Sequence, residues 1–81
     1  MKRVEFYVGL VFQDRSKFEV FVNTLNRSIP QDEQLEVINA FDDYEGYYTI
    51  CCLGTWESYR ALQSQNFVKS IAHYEDDTIW Q

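Results

Sequence analysis

The stretch Val4-Glu5-Phe6-Tyr7-Val8-Gly9-Leu10-Val11-Phe12 decides the fold. Val4, Phe6, Val8, Leu10 and Phe12 fall on one side of an extended chain, and Glu5, Tyr7, Gly9 and Val11 on the other. A period of two is that of a β-strand. The period then changes. Phe18, Phe21, Val22, Leu25 and Ile29 recur at helical spacing. Ser16 with Glu19 forms an S-x-x-E capping box, with Asp14 as a competing N-cap. Pro30 cannot continue a helix, so the helix is expected over residues 16 to 28.

Reading outward, residues 35 to 41 form a second strand, and Asp42, Asp43, Tyr44, Glu45 and Gly46 a hairpin loop. Residues 47 to 53 are rich in β-formers and make a third strand. Thr55 caps a second helix carrying Trp56, Tyr59 and Leu62. After a break at residues 64 to 66, that helix is expected to continue through Phe67, Val68 and Ile71, with His73 at its end. Residues 78 to 80 read as a short last strand. The order β-α-β-β-α-β is the split βαβ arrangement of an α+β, ferredoxin-like fold: a four-stranded antiparallel sheet with two helices on one face. Right-handed crossovers put the first and third strands in the centre.

The central strands are apolar on both sides. Phe6, Val8 and Leu10 oppose Tyr7, Gly9 and Val11; Tyr48, Ile50 and Cys52 oppose Tyr47, Thr49, Cys51 and Leu53. Such patterning implies burial on both faces, while the helices cover only one. An identical subunit is the expected cover for the other, so a homodimer is expected.

Eighty-one residues make a single domain, residues 1–81, that buries only about 60% of its unfolded surface. Hydrophobic residues at 46% are too many for disorder. Charge is divided unevenly. Residues 1 to 30 set Lys2, Arg3, Arg15, Lys17 and Arg27 against Glu5, Asp14 and Glu19, a net of +2. Residues 31 to 81 set Arg60 and Lys69 against ten acids, a net of −8. That balance repels phosphate backbones and argues against a nucleic-acid partner. It suits a basic protein surface. No apolar run is long enough to span a membrane. Lys2 and Arg3 lead straight to Glu5 without an apolar segment, so no signal peptide and a cytoplasmic setting are expected.

Gly46-Tyr47-Tyr48-Thr49-Ile50-Cys51-Cys52-Leu53-Gly54-Thr55-Trp56-Glu57-Ser58, with Ala61, Ser64 and Phe67 after it, resembles the dimeric α/β-barrel superfamily, in its antibiotic-biosynthesis-monooxygenase branch. There a hairpin strand runs into a W-[ED]-S helix start and a later S-x-x-F. The resemblance implies a homodimer with sheets packed face to face. It also implies oxidation of aromatic substrates without bound metal or flavin, or haem degradation in one branch. Under that reading Tyr7, Tyr47 and Trp56 line the substrate cavity. The departures bear on the chemistry. The stretch from Trp56 to Phe67 is about one helical turn short. Gly54-Thr55 stands where an acid commonly precedes the tryptophan. Residues 4 to 12 hold no Asn, and His73 lies too far beyond Phe67 to match the haem ligand. A second resemblance, of Phe6-Tyr7-Val8-Gly9-Leu10 and Glu45-Gly46-Tyr47-Tyr48-Thr49-Ile50 to the RNA-recognition motif, is opposed by Glu45, Thr49 and the net charge of −6.

No nucleophile–base set, phosphate loop or metal-ligand spacing is present. Adjacent Cys51 and Cys52 point to opposite faces of a strand and cannot readily pair. They read as small apolar residues in a reducing compartment. His73 reads as a surface residue favoured by a helix dipole. The acids cluster in two turns, Asp42-Asp43-Tyr44-Glu45 and Glu75-Asp76-Asp77, with Trp80 near the second. These eight residues are the expected partner-binding set, since Tyr and Trp anchor interfaces and carboxylates read Lys and Arg. The expectation is therefore a non-catalytic interaction module, an inhibitor or adaptor, needing no cofactor or metal. The alternative is a cofactor-independent monooxygenase or small-molecule binder of the dimeric barrel type.

Overall fold

The alternation of residues 4 to 12 becomes β1 (Val4–Val11) in the computed structural model, which describes residues 3–42 and 46–73. The chain continues through α1 (Arg15–Arg27), β2 (Glu36–Asp42), β3 (Tyr47–Gly54), α2 (Trp56–Gln63) and β4 (Ser70–His73). All strand pairs are antiparallel, in the order β2-β3-β1-β4. This is the ferredoxin-like arrangement, with β1 and β3 central. Their register runs from Val4 opposite Gly54 to Val11 opposite Tyr47.

One side of the sheet meets the helices. Phe6, Val8 and Leu10 of β1 and Tyr48, Ile50 and Cys52 of β3 pack with Phe18 and Val22 of α1, Leu62 of α2, and Leu35 and Phe67 from the connections. Burying each large apolar side chain contributes about 1.5–3 kcal/mol. Phe6, Val8, Leu10, Cys52 and Leu62 have no exposed surface at all, so side chains fill the space between sheet and helices. Asn26 ties the end of α1 to the chain entering β2: its Oδ1 accepts the Leu35 N–H at 2.9 Å and its Nδ2 donates to the Leu35 carbonyl at 3.0 Å. Arg3 holds the preceding turn by donating to the carbonyls of Asp32 and Gln31 and to the Glu36 carboxylate.

Three local expectations are corrected. The capping box at Ser16 and Glu19 does not form. A 3-10 turn at Phe12–Asp14 runs directly into α1, so the extended cap residue that the motif needs is missing. Glu19 instead pairs with Arg15 at 3.2 Å, and Asp14 with Lys17 at 3.3 Å. Phe12 leaves the sheet, its N–H donating to the Gly46 carbonyl at 2.7 Å and its ring meeting Tyr48 edge-on. The third correction concerns residues 67 to 73. The second helix ends at Gln63, with bonds from the Gln65 N–H to Leu62 and from the Val68 N–H to Gln65 turning the chain. Residues 70 to 73 then pair with β1 as β4, placing His73 opposite Phe6 and Ile71 opposite Val8. His73 is thus a strand residue, not a helix end. The spacing of Val68 and Ile71 fits a helix, but Ser70-Ile71-Ala72-His73 also alternates, and the open edge of β1 selects the strand. The last strand expected at residues 78 to 80 lies outside the described residues.

Candidate partner-binding surface

The strand β2 is exposed at all seven positions, although Val37, Ile38, Ala40 and Phe41 lie within it. It is an edge strand, and α1 does not close over it. The adjacent apolar pair Val37-Ile38 breaks the alternation, and the register shifts there: Val37 faces Cys52 while Asn39 faces Cys51. Ile38 is the additional residue of a bulge. Val37 and Ile38 are 48% and 53% exposed. The Ala40 N–H donates to the Asn39 Oδ1 at 2.8 Å. Bulge and bond together make this edge a poor template for a further strand, so what β2 offers to its surroundings is its exposed side chains.

Between β2 and α1 runs a groove of about 290 Å³. Phe18, Val37, Ala40, Tyr48 and Ile50 supply its apolar surface, and Arg15 and Glu19 its charges. The Arg15 guanidinium lies 5.2 Å from the centre of the Tyr48 ring and bonds the Glu19 carboxylate. The groove therefore already holds one cation over an aromatic face with a carboxylate beside it. Asp42 ends β2, exposed, in the row opposite Tyr48, and makes no ion pair with any described residue.

The other side of the sheet is open. Glu5, Tyr7, Gly9 and Val11 line up beside Tyr47, Thr49, Cys51 and Leu53. The Tyr7 hydroxyl donates to the Glu5 Oε2 at 3.3 Å, and the Cys51 thiol donates to the same oxygen at 3.4 Å. Desolvation by its surroundings raises the Tyr7 hydroxyl above its ordinary value, with the charges of Cys51 and Glu5 adding to it. Burial raises the Cys51 thiol, and its bond to Glu5 raises it further. Cys52, on the helix side, is pushed up to about 12, by burial first and by Cys51 second. Neither cysteine is poised as a thiolate. The two do point to opposite faces, and both are free thiols.

Of the residues expected to line a substrate cavity, Tyr7 and Tyr47 share the open face. Trp56 lies on the helical side, edge-on to Tyr59 at 5.3 Å and His73 at 5.2 Å. Of the expected partner-binding set, Asp42 sits at the end of the exposed strand. Asp43, Tyr44, Glu45, Glu75, Asp76, Asp77 and Trp80 lie outside the described residues. Sequence reasoning missed the groove. Its only signal was the run Val37-Ile38-Asn39-Ala40-Phe41, which alternates too poorly for a regular half-buried strand. It also missed Glu5 as the shared acceptor for Tyr7 and Cys51, although Glu5 and Tyr7 stand two apart on one face.

Among the described residues no cluster of three or more His, Cys, Asp or Glu is placed to hold a metal ion. No described helix is long and apolar enough to cross a membrane. Comparison with protein-family models, with curated proteins and with solved structures finds no match.

Proposed function

We propose that the protein is a small non-catalytic interaction module, an inhibitor or adaptor, that seats a basic segment of a partner protein along β2. The observation that carries this reading is the exposure of the whole strand, apolar residues included. A Lys or Arg side chain suits the groove because its long aliphatic stem covers Val37, Ala40 and Tyr48 while its charged head stays in water. Asp42 and Glu19 stand near to receive that head. The placement of Arg15 over Tyr48 is an internal instance of the same contact. The net of −8 over residues 31 to 81 steers a basic partner to this half of the chain. A reducing, cytosolic setting fits the two free thiols.

The test is capture of partners on the immobilised protein, using wild type, Ile38→Asp and the triple reversal Asp42→Lys, Asp43→Lys, Glu45→Lys. Circular dichroism checks that each variant is folded. A basic protein held by wild type should be released as salt rises, and its affinity should fall at least about tenfold in either variant. Retention of the same protein by both variants, at unchanged salt dependence, refutes the reading.

A further inference from the structure

Arg15 is only loosely held in the groove between α1 and β2. Its carboxylate partner, Glu19, stands four residues toward the C-terminus of α1. Base before acid is the less favourable order for such a pair on a helix. Both side chains are about half exposed, at 49% and 57%, so water and salt weaken the pair further.

The ring beneath Arg15 is better fixed. Tyr48 is buried, and Phe12 meets it edge-on with the ring centres 5.8 Å apart. The Arg15 guanidinium lies 5.2 Å from the centre of this ring while its Nε donates to the Glu19 Oε2 at 3.2 Å. The groove thus supplies a flat aromatic platform with a carboxylate at its rim. Asp42 stands opposite Tyr48 in the pairing of β2 with β3, on the same side of the sheet, and adds a second carboxylate.

Such a platform separates the two basic side chains. A guanidinium is planar and weakly hydrated. It can cover an aromatic face and still donate, within its own plane, to a carboxylate. An ammonium is a compact and strongly hydrated charge, and it must shed water to make the ring contact. Arg15 displays the arginine version of this geometry within its own chain.

We infer that the groove selects arginine over lysine, and that Arg15 is a resident occupant which the partner's arginine displaces. The inference rests on the reading that β2 seats a basic segment, and it adds the side chain read and the contact that holds the site closed. An exposed cation–aromatic contact and an exposed ion pair are each worth about two- to fivefold in an equilibrium. The resident therefore lowers the affinity for an incoming arginine by about five- to twentyfold.

The test uses two capped peptides of equal length and charge, one of arginine only and one of lysine only. Each is titrated into the isotopically labelled chain, with amide shifts giving both affinity and place. The wild type should bind the arginine peptide along Glu36–Asp42, at least about threefold more tightly than the lysine peptide. Arg15→Gln should tighten the arginine peptide about five- to twentyfold. Lys17→Gln is the control for charge, since it removes one cation and likewise leaves one carboxylate, Asp14, without its partner. It should move both peptides equally and by less than about threefold. Circular dichroism checks that both variants are folded. Equal affinities for the two peptides, or an Arg15→Gln gain no larger than that of Lys17→Gln, overturn the inference and leave the basic-segment reading standing. Absence of shifts along Glu36–Asp42 with either peptide, in wild type and in Arg15→Gln, overturns both.

Discussion

Cys52 shows how far one residue can be read from its neighbours. It has no exposed surface and lies against Phe6 in the register of β1 and β3. Its thiol sits at about 12 in the fold against an ordinary value of 9.0. Between those values the folded chain keeps a proton that the unfolded chain has released. Stability is therefore unaffected below pH 9 and falls as pH rises from about 9 toward 12. Cys51 and Tyr7, both raised, bend the curve in the same direction. Urea denaturation between pH 8 and 11 should show this loss, and Cys52→Ala, less stable at neutral pH, should show a shallower one. An equal slope in the variant would assign the alkaline loss to other groups.

At the scale of elements, α2 depends on one hydroxyl. Thr55 is buried, and its Oγ1 accepts the Ser58 N–H at 3.2 Å and meets the Ser58 hydroxyl at 3.2 Å. Thr55→Ala leaves those groups buried without that acceptor and should cost about 1–2 kcal/mol in chemical denaturation. Thr55→Ser should recover most of it; equal losses for the two variants would point to the methyl group rather than the cap. This cap was legible in the sequence because a strand ends on Gly54 immediately before it. The cap proposed at Ser16 was not, because its motif says nothing of the 3-10 turn that feeds α1 directly from β1. Nor was β4 legible. Four residues carry too little periodicity to separate strand from helix, and the edge of β1 that recruits them is a long-range feature.

For the molecule as a whole, the sheet order and the two-sided apolarity were legible because both rest on β1 and β3, the longest alternating stretches. The candidate surface was legible only in part. The acidic turns raise the expectation of a basic partner, but the groove on which the proposed binding rests arises where α1 fails to cover β2, and packing of that kind leaves no local mark. Between the sheet and the helices the described core is filled by side chains. Phe6, Leu10 and Leu62 occupy the space between the layers, and Tyr7 and Tyr47 lie across the sheet from Trp56.

The most direct test of the central claim is a titration of the isotopically labelled protein with a Lys/Arg-rich peptide from a captured partner, followed by amide chemical shifts. The account predicts salt-sensitive changes along Glu36–Asp42 and at Arg15 and Glu19, with Gly9 and Thr49 undisturbed. Changes confined to Trp56, Tyr59 and His73, or changes indifferent to salt, would contradict it.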